Sequence, residues 1–569
     1  MDDTAITVLP ISADEPIAQS ANIVSPNVLK IKEIYPEVFT EGKIDFEVLR
    51  DLINDAIDDS DEKYGLSWNG KRSARRFALT PSTGTLLPAT AESVRWDTSK
   101  NIMIEGDNLE VLKLLQKSYN RSINFIYIDP PYNTGSDFVY PDCYHDSLGN
   151  YLRRTGQADA EGVRNTSNPE SSGRYHTDWL NMMLPRLMLA RGLMAEDGLI
   201  AVSVDDDELA NLTALMNELF GEENKIACLV WDKNRKNDAK LFSVGHEYML
   251  VYARSLALLR ERKIKWREDR PGLEEARQLY ESLQVEFADD LASIRTSFLS
   301  FYRALDKDDP RKPIGRFTKL DSRGPYRDDG DISWPGGGGP KYEVLHPETQ
   351  KPVKAPPGGW VYPTAEGFWK AYSDGDVVFG PDETTLPRQI RYLFESEGQV
   401  MVSVNFSYAQ TATMDLAELM GGRVFDNPKN WADISRLISY FNLRDGIVLD
   451  FFAGSGTTAH SVMVQNAAGN RNLRYILVQL PEPLNPDNKD QKAAASFCDK
   501  LGKPRNIAEL TKERLRRAAA RTRADNPKAH FDDGFRVYKL ATSNLKAWQP
   551  GKDLNKDLLE AANNLIWPH

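Results

Sequence analysis

The stretch FIYIDPPYNTGSDF, residues 125–138, ends an apolar run on a carboxylate and then stiffens the chain with two rings. A turn needs only Asn133-Thr134-Gly135, so Asp129-Pro130-Pro131-Tyr132 is more rigid than chain reversal demands. The Asp129 carboxylate and the Pro130 carbonyl are two acceptors, Pro131 fixes the local backbone, and Tyr132 offers a flat face for stacking. Two acceptors aimed at the N–H bonds of an exocyclic amine such as adenine N6 localise its lone pair toward an electrophile. The chemistry that fits is methyl transfer to such an amine, with positioning and electrostatics doing most of the catalysis.

A second stretch, IVLDFFAGSGTTAH at 447–460, reads as strand, glycine turn and helix start. Gly454 and Gly456 let the backbone approach a ligand. The helix N-terminus adds free N–H groups, and Thr457 and Thr458 add capping or ligand-contacting hydroxyls. Asp450 with Phe452 suits a ligand with a cationic centre, and S-adenosylmethionine carries both a sulfonium and an ammonium. No third glycine completes GxGxxG, which argues against a dinucleotide. No GxxxxGK[ST] occurs in the chain, so ATP-driven work has to come from another protein. Cys143, Cys228 and Cys498 form no CxxC pair, which points away from disulfides and zinc and toward a reducing cytoplasm.

These residues need a scaffold, and the 569-residue chain is long enough for several domains. From 101 to 259 strand and helix patterns alternate: NIMIEGD, LEVLKLLQKSY, FIYID, WLNMMLPRLMLARGLM with Pro185 as a kink, a turn at Asp197-Gly198, then LIAVSVD, ELANLTALMNELF, KIACLVW and EYMLVYA. That alternation predicts an α/β fold with a largely parallel sheet. Between 260 and 420 the chain turns rich in Pro, Gly and aromatics (WPGGGGP, APPGGWVYP), which marks an insertion. The pattern resumes through NWADISRLISYF, GIVLDFF, TTAHSVMVQNAA and RYILVQL to about 500. Residues 1–28 read as a flexible tail, 29–100 as a lead-in region, and 501–569 as a C-terminal region with a basic helix. No run approaches the roughly 20 apolar residues of a membrane helix. The net charge of −12 does not by itself point to nucleic acid.

IDPPYNTG followed much later by DFFAGSGTT resembles the β class of DNA amino-methyltransferases, in which the target-amine motif precedes the cofactor motif. The chain is most similar to the modification subunits of type III restriction–modification systems, from about residue 30 to 550. The resemblance implies a Rossmann-like S-adenosylmethionine-dependent fold in circularly permuted motif order, with 260–420 as the target-recognition domain. It further implies adenine N6 in double-stranded DNA as the target, a homodimer, and a separate helicase–nuclease restriction subunit as partner. A solitary methyltransferase acting on adenine or cytosine N4, or a subunit that mainly recognises DNA for a nuclease, are the alternatives. By the same resemblance Asp129, Pro130 and Tyr132 grip the base, and Asp450, Phe452, Gly454, Gly456 and Thr457 hold the methionine part of the cofactor. Asp107 and Asn108 are expected near the cofactor's adenine, Glu482 at its ribose, and Phe425 and Lys429 in the pocket wall. C5 methylation of cytosine is excluded, since no Pro-Cys dipeptide is present.

In the insertion, Arg316, Lys319, Arg323 and Arg327 interleave with Tyr326 and Trp334, a pattern suited to phosphate contact. The basic helix at 509–523 is a second candidate. A target amine inside a duplex has to be flipped out of the stack. His176 and the His246-Glu247 pair are read as structural. The run Asp205-Asp206-Asp207-Glu208 is read as capping of a helix N-terminus rather than as a metal site.

Overall fold

The computed structural model describes residues 20, 24–40, 43–53, 65–134, 175–233, 241–288, 290–307, 309–395, 398–469 and 471–542. Most of the predicted tail, Gly135–Phe138 and Cys143 lie outside these residues. They form two compact units, one from residues 1–265 and 402–569 and the other Trp266–Met401.

The first unit is built on a ten-stranded sheet. Its strands are β1 (Gly84–Pro88), β2 (Ile102–Glu105), β3 (Ile123–Ile128), β4 (Met194–Val204), β5 (Lys225–Asp232), β6 (His246–Ala253), β7 (Val404–Phe406), β8 (Asp445–Asp450), β9 (Asn472–Gln479) and β10 (Arg536–Thr542). They lie in the order β7-β5-β6-β4-β3-β8-β9-β2-β10-β1. The six strands from β4 to β10 run parallel, while β6 and β1 pair antiparallel with their neighbours. Strands buried on both faces read as near-continuous apolar runs. INFIYI of β3 has five of its six residues fully or nearly buried, hence its lack of alternation.

Six helices matter to the site: α1 (Asn108–Tyr119), α2 (Tyr175–Leu193), α3 (Leu209–Phe220), α4 (Trp431–Tyr440), α5 (Thr457–Ala467) and α6 (Ile507–Asp525). Pro185 sits inside α2 without ending it. The predicted turn at Asp197-Gly198 is instead an interruption within β4. Met194 pairs with Ile123 and Leu199 with Phe125, so residues 195–198 bulge out opposite Asn124.

The crossovers fix where a ligand can sit. From β3 the chain crosses through α2 to β4 on one side, and from β8 it crosses through α5 to β9 on the other. The pair β3–β8, held by Val448 opposite Phe125 and Leu449 opposite Ile126, is therefore a topological switch point. Ligands bind beyond the carboxyl ends of the strands at such a point. Asp129 and Asp450 mark those ends.

The second unit pairs helices Leu273–Phe287 and Leu291–Ala304 with a four-stranded antiparallel sheet. It is narrower than the 260–420 expected from composition, because Val404–Phe406 joins the large sheet as β7, parallel to β5.

α6 is anchored by Lys512, fully buried among the carboxylates of Glu92, Glu105 at the end of β2, and Glu509 at 2.8 Å. The three carboxylates stand close enough together to suggest a metal site, but the ammonium already lies among them. Truncating one partner of a buried ion network leaves the others uncompensated. Lys512→Met is expected to lower unfolding free energy by about 3–5 kcal/mol in urea denaturation; an unchanged midpoint would contradict this anchoring.

Candidate active site

Beyond the ends of β3 and β8 opens a cavity of about 490 Å³, within the range of small-molecule sites. Asp129, Pro130, Pro131 and Tyr132 form one wall; Asp450, Phe452, Gly454 and Thr457 form another, and Phe425, Lys429 and Glu482 close it.

The first wall is braced from below. Trp179 of α2, fully buried, donates its indole N–H to the Pro131 carbonyl at 2.7 Å. The Pro130 carbonyl has no such donor among the described residues. Asn133 is fully buried with φ +66°, a left-handed conformation that a non-glycine residue adopts only when its surroundings enforce it. Its amide donates to Glu208 Oε1 at 2.6 Å. Glu208 is fully buried, accepts from Asn211 at 2.8 Å, and lies 2.7 Å from His176 Nδ1. The capping expected of Asp205–Glu208 is thus corrected in part. Asp205 accepts from the Asp207 N–H at 3.1 Å, but the Glu208 side chain makes no cap bond to α3. It is taken by the turn that carries the site.

The Asp129 carboxylate faces two partners of opposite sign. Lys429 Nζ lies 3.2 Å from Oδ1, an ion pair without hydrogen-bond geometry, so that this buried oxygen has no hydrogen-bond donor. The same ammonium donates to Glu247 at 2.7 Å and to the Tyr132 hydroxyl, and it stands 4.6 Å from the Tyr132 ring centre. Tyr132 in turn donates to Glu247 at 3.3 Å. Burial raises the Asp129 pKa and Lys429 opposes it, leaving the carboxyl above its usual value. Burial also works to raise Glu247, but Lys429 and Lys233 outweigh it and hold that carboxyl below its usual value. His246 is bonded to Tyr248 at 2.8 Å. Glu247 is not merely structural, since it lines the cavity.

On the second wall, the Asp450 carboxylate accepts from the Phe452 N–H at 3.0 Å and the Thr458 hydroxyl at 2.5 Å. Burial pushes its pKa up to about 7, against those two bonds and with help from the charge of Asp129. Gly454 and Gly456 have φ of +51° and +87°. Gln479 at the end of β9 accepts from the Gly454 N–H at 2.7 Å. Thr457 donates to the Lys429 carbonyl at 3.3 Å, which links the glycine turn to the lysine over Asp129.

Other expected site residues lie elsewhere. Asp107 caps α1, accepting from the Leu109 and Glu110 N–H groups. Asn108 donates to the Phe451 carbonyl at 2.7 Å and accepts from Arg186 at 2.5 Å. Neither lines the cavity, nor do Gly456 and Thr458. Within the second unit Lys319 pairs with Asp328, Arg323 with Asp376 and Glu395, and Arg327 with Asp329, while Arg316 is exposed. The basic helix is not a free cationic face, because its charges are engaged in the fold. Lys512 and Arg514 are buried, Arg517 bonds the Met420 carbonyl, and Arg523 bonds Asp533.

Comparison with known proteins places this geometry in a family. Residues 123–478, which span both cavity walls, match the family described as DNA methylase, N6_N4_Mtase. The chain is 32% identical over 526 residues to the type III restriction–modification enzyme EcoP15I Mod subunit of Escherichia coli, covering 91% of this chain and 77% of that protein. It is 32% identical over 493 residues to the StyLTI Mod subunit of Salmonella typhimurium, covering 85% and 67%. It is 28% identical to the type II methyltransferase M.KpnI of Klebsiella pneumoniae, covering 74% and 87%. Among solved structures, the putative DNA modification methylase TTHA0409 of Thermus thermophilus, complexed with S-adenosyl-L-methionine, overlaps 78% of this chain and all of that one at 12% identity. Its TM-score is 0.30. The family match over both motif strands and the long alignments to Mod subunits agree, and the chain belongs to the DNA methylase family.

Proposed function

We propose that the protein transfers a methyl group from S-adenosylmethionine to adenine N6 in double-stranded DNA. It would act in the cytoplasm as the modification and recognition subunit of a type III restriction–modification system. A homodimer working with a separate helicase–nuclease subunit fits the similarity to Mod subunits. The observation that carries the reading is the Asp129 carboxylate, which lines a cavity shared with the glycine turn and with Pro130.

The cavity fits the cofactor by the chemistry of its donors. Asp450 is a buried carboxylate for a cationic group, Phe425 and Phe452 are apolar faces, and Glu482 lies at the wall for hydroxyls. When bound, S-adenosylmethionine supplies an electrophilic methyl group on a sulfonium sulfur. The chain's own residues prepare the amine. The Asp129 carboxylate accepts one N–H bond and the Pro130 carbonyl the other, which turns the nitrogen lone pair toward the methyl. Tyr132 is the platform for a base flipped out of the duplex. Lys429, already held by Glu247 and the Tyr132 hydroxyl, moves off Asp129 when the amine arrives and leaves the carboxylate to accept from it. Asp129 then faces the methylated, cationic amine and is placed to hold the proton it releases, so no histidine base is required.

The decisive test is incubation of the purified protein with DNA and labelled S-adenosylmethionine, followed by nucleoside analysis. N6-methyladenine is expected; N4-methylcytosine, or label in RNA alone, contradicts the proposal.

Asp129 must be ionised to accept, so activity lies above its pKa. Removing the cation that lowers that pKa moves the acid limb of the pH–rate profile to higher pH. Lys429→Met is expected to move that limb to higher pH, and an unmoved limb would show that Lys429 does not tune Asp129.

Cofactor affinity should titrate with Asp450. A cationic ligand prefers the carboxylate, and with a pKa near 7 the group is increasingly protonated as pH falls. Binding is expected to be about tenfold weaker at pH 6 than at pH 8, measured by calorimetry. Asp450→Asn should weaken binding and flatten that dependence; a variant that keeps the slope rules Asp450 out as its source.

A further inference from the structure

The glycine turn is held from behind by a buried cation on a helix that lies beyond the stretch matched to the family, which ends at residue 478. Arg514 of α6 is 2% exposed. One guanidinium nitrogen donates to the Ser455 hydroxyl and, at 2.8 Å, to the Thr457 hydroxyl. Its Nε has no hydrogen-bond partner, and no carboxylate among the described residues is in direct contact with it; the charge of Asp415 reaches it from farther off and does not offset its burial. Its neighbour Thr511 donates to the Gly454 carbonyl at 2.6 Å. Thus one helix face grips the turn at three residues, Gly454, Ser455 and Thr457.

Holding a turn needs a hydrogen-bond donor, not a full charge. A buried guanidinium without a counter-ion is costly, and an apolar side chain with a few good contacts would be a cheaper brace. The arrangement makes sense if the charge is complemented from the cavity side. Ser455 and Thr457 both line the cavity. Because Arg514 donates to their oxygens, their own O–H protons point elsewhere. Their protons are engaged over long contacts, Thr457 to the Lys429 carbonyl at 3.3 Å and the Ser455 and Thr457 hydroxyls to one another at 3.3 Å. A hydroxyl that accepts from a cation is a stronger donor in turn, and the first N–H groups of α5 begin at this same residue. The pole so formed favours an anion. Asp450, at the other end of the turn, favours a cation. A ligand that satisfies both carries a carboxylate and an ammonium a few bonds apart, as the amino-acid end of S-adenosylmethionine does.

We propose that Arg514 is the positioning residue for the carboxylate of the cofactor's amino-acid end, acting through the hydroxyls of Ser455 and Thr457. The inference rests on the cofactor reading given above. It extends the cofactor site to a helix near the C-terminal end of the described chain. It also gives that helix a part in orienting the methyl donor toward Asp129.

The test is calorimetric binding of S-adenosylmethionine and of decarboxylated S-adenosylmethionine to the full chain. The second probe keeps the sulfonium, the amine and the adenosine and lacks only the carboxylate. The wild type is expected to bind the carboxylated ligand at least about tenfold more tightly. Arg514→Met is expected to lose about tenfold or more for that ligand and to change little for the analogue, so that the preference vanishes. Its thermal midpoint without ligand should hold or rise, since an unpaired buried charge has been removed. Thr457→Val, which deletes one relaying hydroxyl, should lose the same preference in part. Equal weakening toward both ligands would mean that Arg514 only braces the fold, and the proposal fails. A wild type that binds both ligands equally also overturns it. If the wild type binds S-adenosylmethionine not at all, the functional reading fails first and this inference with it.

Discussion

An acceptor for a weakly nucleophilic amine must be ionised, and Asp129 sits where burial opposes ionisation. The rest of the site can be understood from that conflict. A carboxylate inside a cavity is stable only with a compensating charge, and Lys429 supplies it at 3.2 Å. A lysine bonded squarely to Asp129 would block the amine. Glu247 and the Tyr132 hydroxyl hold the ammonium instead, leaving Asp129 Oδ1 near a charge yet without a hydrogen bond. The position is a compromise between keeping the carboxylate charged and keeping it available.

The compromise depends on backbone placed by the sheet. Parallel pairing of β3 with β8 puts the ends of two motifs far apart in sequence beside one another. The glycine turn then reaches back through Thr457 to the carbonyl of Lys429. Binding at the cofactor wall and the position of the lysine over Asp129 are therefore mechanically connected. On the other side, Trp179, Asn133 and Glu208 fix the proline corner, so the acceptors do not have to be ordered when a base arrives. Such preorganisation is how a site without a nucleophile of its own gains rate.

The two motif strands were legible in the sequence because each is short, apolar and ended by unusual residues: a carboxylate with two prolines, and a carboxylate with two glycines. The alternation of helices and strands gave the α/β class for the same reason. What the sequence hid were partners brought in from a distance. Glu208 stands in an acidic run that looks like a cap, and nothing local says that it turns to Asn133. Glu247 follows a histidine that draws more attention, and only the neighbouring strands show which of the two faces the cavity. Arg514 and Lys512 belong to a helix whose composition suggests a solvated basic face; burial reverses that reading. Asp107 and Asn108, expected near the cofactor's adenine, have local tasks the motif did not announce: one caps a helix and the other bonds a carbonyl. The edge of the insertion was misplaced because β7 has three residues, too few for a period to show.

The central claim is that Asp129 exchanges the company of Lys429 for that of the target amine. It is tested most directly by a crystal structure of the protein with duplex DNA and a non-reactive cofactor analogue. The account predicts a flipped adenine whose N6 lies within about 3 Å of an Asp129 carboxylate oxygen and of the Pro130 carbonyl, with Lys429 drawn onto Glu247. A flipped base whose amine contacts neither acceptor, with Lys429 still against Asp129, would contradict it.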